Sequence, residues 1–409
     1  MANKDEHLVV ALDIGTSKVA AFVGEVNQEG GINVIGMGLQ PSRGLKRGVV
    51  VNIESTVKAI SRAIEEAELM AGCHIHSAYT GIAGSHIQSL NSHGIVAIRD
   101  NEVTAQDVER VIDAAKAVAI PADQKILHIL PQEFTIDMQD GIREPIGMAG
   151  VRLEAKVHIV TGAVSAAQNI VKCVQRCGLR VGDVVLEQLA SSYAVLSDDE
   201  KELGVCMIDI GGGTTDIAVF TDGAIRHTAV IPIAGDHVTN DLAMALRTPV
   251  PHAERLKIQY GSAFASRVGA DAVVNVPTVA QSGTRQASQR ALAQVVEARY
   301  EELFSLIKHE LRRSGFADML AGGIVFTGGA SKMSGCIELA EQVLGMPARL
   351  GKPVMVGGLP DVIDNPSFAT GAGLLLHAHR SRSKGLGPLE LNHPAGLWSR
   401  MKSWFQGNF

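Results

Sequence analysis

The octapeptide Asp209-Ile-Gly-Gly-Gly-Thr-Thr-Asp216 interrupts two short apolar runs, Leu203-Gly-Val-Cys-Met-Ile208 before it and Ile217-Ala-Val-Phe220 after it. Short apolar runs flanking a Gly/Thr cluster predict two strands joined by a polar turn. The same pattern occurs 196 positions earlier, where Asp13-Ile-Gly-Thr-Ser-Lys18 divides Leu8-Val-Val-Ala-Leu12 from Val19-Ala-Ala-Phe-Val-Gly-Glu-Val26. A repeat of that length is no solenoid period. It predicts two similar α/β halves, each presenting a hairpin turn. Glycines let backbone N–H groups converge, and Thr or Ser hydroxyls add donors, so Gly15, Thr16, Ser17, Lys18 and Gly211, Gly212, Gly213, Thr214, Thr215 are candidates for a phosphate cradle. Asp13, Asp209 and Asp216 supply carboxylates, and Asp13 with Asp209 would hold Mg²⁺ through its waters. A third glycine turn, Gly328-Gly329-Ala330, can lie flat against an adenine because no Cβ intervenes. The chain has neither a GxxxxGK[ST] loop nor a dinucleotide fingerprint opening a helix.

Around these turns lie 409 residues, 46% hydrophobic and 20% charged, with net charge -6 and mean hydropathy +0.15. That composition excludes disorder and allows two to four domains. The mild acidity argues against a nucleic-acid partner. No apolar run reaches a membrane-spanning length, no secretory signal is visible, and five cysteines without a CxxC predict a reduced, cytoplasmic chain. Further strands are predicted near 32–38, 77–82 and 157–164, and helices over 54–71, 105–118, 166–177, 286–314 and 369–378. Residues 84–156 break the rhythm. Beyond the helix starting after Thr104, Pro131, Pro145 and three glycines predict a loop-rich insert, with the strand pattern resuming at Val157–Val164.

The turns in this order resemble the actin/Hsp70/sugar-kinase ATPase superfamily. Its phosphate and adenosine segments match the three turns, and its two connecting segments match Leu186-Glu-Gln-Leu-Ala190 and Ala369-Thr-Gly-Ala-Gly373. The resemblance implies an actin-like fold with ATP and Mg²⁺ between the halves, Glu187 positioning the attacking water, and Glu254 and Lys257 on a helix that contacts adenosine. Leu130-Pro-Gln-Glu-Phe-Thr-Ile-Asp137, within the insert, is similar to the FtsA family of bacterial cell-division actin homologues. That narrower resemblance implies a first half of 1–83 and 163–195, an insert of 84–162, a second half of 196–238 and 303–379, and a small subdomain of 239–302. It also implies polymers on the inner face of the cell membrane at the septum, FtsZ and later division proteins as partners, and an FtsZ-peptide site for which Arg285, Arg290 and Arg299 are candidates.

The end of the chain has its own chemistry. Residues 380–393 have the composition of a flexible linker. In 394–409, Leu397, Trp398, Met401, Trp404 and Phe405 fall on one helical stripe, with Arg400 and Lys402 on the other side. Aromatic residues opposite basic ones predict a helix lying in the surface of an anionic membrane. Competing expectations are a terminal helix docked on its own core, a small-molecule kinase of the same superfamily, and a pilus-assembly homologue of the PilM type. A chaperone of the Hsp70 type is disfavoured, because the stretch after 378 is too short for a substrate domain. Cys173 and Cys177, His74 and His76, and His377 and His379 read as structural residues.

Overall fold

The computed structural model describes residues 7–27, 30–277 and 283–383. The amphipathic segment with Leu397, Trp398, Arg400, Met401, Lys402, Trp404 and Phe405 lies outside the described residues.

Two sheets form the body. The first holds β1 (Leu8–Ile14), β2 (Lys18–Val26), β3 (Ile32–Pro41), β4 (Ser77–Ile82) and β5 (Arg180–Leu186) in the order β5-β4-β1-β2-β3, with Gly357–Gly358 added beyond β3. The second holds β6 (Val205–Ile210), β7 (Thr215–Thr221), β8 (Ala224–Ile231), β9 (Ile324–Thr327) and β10 (Ala348–Leu350) in the order β8-β7-β6-β9-β10. Strand for strand the two orders coincide. In each, an antiparallel meander of three strands is extended by two parallel strands on the far side of the first. The strands β1, β2, β6 and β7 are apolar nearly throughout because helices cover both faces, which is why they read as runs without alternation.

Helix α1 (Ile53–Ala71) packs on β3 and β2, started by the Asn52 cap and ended at Gly72 in the left-handed region. Helix α2 (Glu187–Val195) follows β5 directly. Helix α3 (Gly235–Ala245) follows β8, and α4 (Ala369–Ser383) closes the described chain. Residues 380–383, predicted as part of a linker, continue α4. There Arg380 stacks over the Tyr193 ring at 4.8 Å and Arg382 donates to the Leu8 carbonyl. The predicted helix at 286–314 starts at Gln289, since Thr284–Ser288 pair as a strand with Val273–Pro277.

The insert departs most from the sequence expectation. In place of loops it is a four-stranded antiparallel sheet of Gln88–Ala97, Arg152–Ala163, Gln124–Ile136 and Gln139–Ile142, in that order, with the helix Ala105–Ala115 packed on one face. Pro131 misled the reading. It sits in the middle of a strand, but the register shifts beside it, pairing Lys156 with Glu133 and Val157 with Pro131. A bulge accommodates a residue that cannot donate to the ladder. The strand predicted at 157–164 is part of Arg152–Ala163 in this sheet.

The insert also reaches the second half. Ser89 Oγ donates to Thr228 O (2.9 Å), Asn91 Nδ2 to Arg226 O (3.1 Å) and Gln132 Nε2 to Ile225 O (2.9 Å). His158 is held between Asn91 Oδ1 (2.7 Å) and Thr228 Oγ1 (2.9 Å), and burial pushes its pKa down to about 3, so it is neutral in this seam.

A cleft built from two hairpins

The two turns face each other across the gap between the halves. Each is closed by the same bond, Gly15 N–H to Lys18 O (2.9 Å) and Gly211 N–H to Thr214 O (3.0 Å), again 196 residues apart. A Cβ on Gly213 would sit 2.6 Å from Thr16 Oγ1, and one on Gly212 would sit 1.8 Å from Ser17 Oγ. Glycine is thus required for the hairpins to approach this closely. Ser17 Oγ also reaches Asp236 Oδ1 at 3.4 Å, a link from the first half to the start of α3. Gly213→Ala is expected to force the hairpins apart and weaken nucleotide binding at least about tenfold, a loss of some 1.4 kcal/mol. Titration calorimetry with ATP checks this, with Gly269→Ala, whose Cβ meets only Ala272 at 3.9 Å, as the control.

Asp13, Gly15, Thr16, Ser17, Lys18, Glu187, Asp209, Gly211, Gly212, Gly213, Thr214, Asp216, Gly328 and Gly329 all line this one cleft. Four of the sequence candidates do not. Thr215 is buried with its hydroxyl donating to Ile233 O (2.7 Å), and the carbonyl of Ala330 accepts from Tyr300 OH (2.7 Å). Lys257 and Glu254 sit one layer behind. Lys257 Nζ donates to Gly235 O (3.1 Å) and Thr239 Oγ1 (2.9 Å) and pairs with Glu254 (2.7 Å). They brace the first turn of α3, whose Gly235 and Asp236 N–H groups bond to Gly211 and Gly212 O.

Beside Ile14, within the first turn, Gly48, Ala83, Pro366, Ser367 and Thr370 also line the cleft. Of these only Thr370 lay in a segment the sequence had marked. Its hydroxyl and that of Ser191 both reach Asp209 Oδ2, at 3.4 and 2.8 Å, and each other at 3.0 Å. One carboxylate is therefore held by side chains of two helices, α2 and α4.

The electrostatics are lopsided. Lys18 is the one cation among the lining residues, 3.8 Å from Asp13. Burial pushes the carboxyls of Asp13 and Asp209 up, with Lys18 opposing in both cases. Burial and then Asp13 hold Glu187 well above the usual carboxylate range. Burial and Asp209 take Asp216 up to about 8, while Asp216 Oδ1 is buried with no hydrogen-bond partner. Crowded carboxylates with one oxygen unsatisfied form a donor set suited to a hard cation.

The three basic candidates of the small subdomain are engaged locally. Arg285 donates to Leu246 O (2.8 Å), Arg290 to Val268 O (2.7 Å), and Arg299 grips Asp241 through two bonds (2.6 and 2.9 Å). The cysteines are free thiols, and among the described residues no cluster could hold a metal through His, Cys, Asp and Glu side chains alone. No helix of the described residues is long and apolar enough to cross a membrane.

Comparison with known proteins decides the family. A family model described as cell division protein FtsA matches residues 206–373, and one described as an SHS2 domain inserted in FtsA matches residues 84–161. A cell division protein FtsA of Pseudomonas aeruginosa is 62% identical over 98% of both chains. The chain belongs to the FtsA family of cell division proteins. Its FtsA relatives in Neisseria meningitidis (48% identical, covering 99% of this chain and 100% of the relative) and Escherichia coli K12 (46%, 99% of both) span the same length. Solved structures show that the FtsA-family fold here is actin-like. The PilM-PilN type IV pilus biogenesis complex gives a TM-score of 0.67 at 15% identity, covering 91% of this chain and 98% of that one. MreB5 of Spiroplasma citri bound to ADP gives 0.54 at 13%, covering 93% and 98%. The likeness to PilM is one of fold alone. The family assignment, and with it a role in cell division, rests on FtsA.

Proposed function

We propose that this FtsA-family protein is an ATP-switched organiser that polymerises on the inner membrane face at the division septum, ties FtsZ filaments to that membrane, and recruits later division proteins. The observation that carries the reading is the pair of matched turns, closed by the same bond and facing each other over the unsatisfied Asp216 Oδ1. The fold neighbour MreB5 was solved with ADP.

In this reading the N–H groups of Gly15–Lys18 and Gly211–Thr214 cradle the phosphates, and Gly328 and Gly329 lie along the base. Asp13 and Asp209 would hold Mg²⁺ through its waters, and the ion would supply charge neutralisation at the phosphates. Glu187, whose carboxyl burial and then Asp13 hold well above the usual range, ionises more readily once the carboxylates around it are neutralised, and as a carboxylate it orients water. Lys257 and Glu254 act through α3, fixing the turn from behind. Because Asp209 is gripped by both α2 and α4, a change of charge in the cleft pulls on the two helices that join the halves, which suits a conformational switch more than turnover.

The tail stripe of Leu397, Trp398, Met401, Trp404 and Phe405 with Arg400 and Lys402 serves as the membrane contact. Each basic residue adds about 1 kcal/mol near anionic lipid, so one helix binds reversibly and a polymer binds through avidity. FtsZ's peptide docks on the small subdomain around Arg285, the most exposed of its three basic candidates. Co-sedimentation with anionic vesicles tests the tether. Full-length protein is expected to pellet with lipid, more so with ATP, and protein stopped at His393 to remain in solution. Equal pelleting of both would contradict the reading.

A further inference from the structure

The cleft has a charge deficit. Four carboxylates (Asp13, Glu187, Asp209 and Asp216) face Lys18 as the one lining cation, and Lys257 is committed behind the wall. A nucleoside triphosphate adds more negative charge than one divalent ion removes.

Unpaired cations lie along one edge, on a segment tied to the first phosphate turn. The segment Ser42–Gly48 runs along the first phosphate turn, tied to it by Ser42 N–H to Ser17 O (3.0 Å) and Gly48 N–H to Thr16 Oγ1 (3.0 Å). It carries Arg43, Lys46 and Arg47, all exposed, and none of the three makes a side-chain hydrogen bond or ion pair among the described residues. Its tip is a two-residue hairpin turn between Leu45–Lys46 and Val49–Val50. Both tip residues have positive φ, Arg47 at 51° and Gly48 at 77°. Asn-Gly is the pair this turn prefers, and an arginine there is strained. The seat is also fixed, because a Cβ on Gly48 would lie 2.8 Å from Gly84 Cα.

The tip stands at a definite end of the cleft. Gly48 packs on Ala83 and Gly84, and two residues before Ala83 a Cβ on Gly81 would meet Glu187 Cγ at 2.7 Å. Gly328, Gly329 and Ser367 line the part beside Asp209, where a Cβ on Gly328 would lie 2.3 Å from Asp209 Oδ1 and one on Gly329 3.3 Å from Ser367 Oγ. A nucleotide with its base on those glycines places its last phosphate toward Glu187 and this tip.

We infer that Arg47 is a specificity residue for the terminal phosphate, a cation carried on a latched, strained turn to distinguish nucleoside triphosphate from diphosphate. The inference rests on the cleft being the nucleotide site. Lys46 and Arg43 extend the same lip and favour capture of the polyanion.

Asparagine is the discriminating substitution, since it suits the left-handed seat and removes only the charge. Calorimetry of the full chain with Mg·ATP and with Mg·ADP is the test. Arg47→Asn is expected to lose at least about tenfold in ATP affinity, the loss of a charge-assisted bond to phosphate, and less than about threefold in ADP affinity, with an unchanged melting temperature. Arg47→Lys is expected to stay within about threefold of wild type for ATP. Equal losses for both nucleotides, or full ATP affinity in Arg47→Asn, would overturn the assignment while leaving the cleft intact. A wild-type chain that binds neither nucleotide would overturn the cleft itself, and Arg47's role with it.

Discussion

Gly373→Ala is expected to cost about 3 kcal/mol of stability, near the upper end for overpacking a well-filled interior, and to lower the melting temperature by roughly 3–5 °C. The reason is a backbone-to-backbone crossing. A Cβ on Gly373 would stand 1.8 Å from the carbonyl oxygen of Ala190 and 2.3 Å from its carbon, so α4 meets α2 with no room for even a methyl group. No rotamer relieves such a contact; one helix must move. Two residues earlier, a Cβ on Gly371 would lie 2.1 Å from the Phe22 ring, so the same turn of α4 is pinned on a second side. Moving α4 also carries Thr370 away from Asp209, and nucleotide affinity should fall together with stability. Thermal denaturation of Gly373→Ala beside Gly269→Ala measures the first effect. Titration of the folded variant with Mg·ATP measures the second. A wild-type melting temperature would mean that the two helices do not cross this closely in solution.

Asp216→Asn is expected to act in the opposite direction on the empty protein. An unfolded aspartate titrates near 3.8, and the fold raises Asp216 to about 8. The folded state therefore prefers the protonated acid. Asp216 makes its full contribution to stability below about pH 4, and that contribution is lost as pH rises toward 8. Asparagine keeps an acceptor for Thr214 Oγ1 and never charges. Nucleotide-free Asp216→Asn should melt at least ~5 °C above wild type at pH 8, with the gap closing by pH 4–5. Added Mg·ATP should reverse the order, because wild type then gains a counter-charge that the variant cannot use. Parallel melting curves at every pH, or an equal gain from Mg·ATP in both proteins, would show that Asp216 carries no buried charge.

Much of this was legible in the residues because the same local chemistry occurs twice. Asp13-Ile-Gly and Asp209-Ile-Gly announce strand ends and turns by composition, and the 196-residue offset reappears as matching closing bonds and matching strand orders. The glycines of Ala369-Thr-Gly-Ala-Gly373 were visible too, although their cause is a helix crossing that no local pattern encodes. The insert was misread because proline normally argues against an interior strand position, and a bulge at Gln132 is invisible until the partner strand is known. Lys257 and Glu254 were placed in the nucleotide site on resemblance, yet the fold sets them behind Gly235, where they shape the site without lining it. Gly48 and Ala83 escaped notice because nothing around them is repetitive; tertiary approach alone brings them to the cleft.

The central claim is that a nucleotide lies between the two hairpins. A crystal structure of the full chain grown with Mg²⁺ and a non-hydrolysable ATP analogue tests it most directly. The account predicts phosphate density between Gly15–Lys18 and Gly211–Thr214, with the metal beside Asp13 and Asp209 and the base along Gly328–Gly329. Nucleotide bound elsewhere, or an empty cleft at saturating ligand, would contradict it.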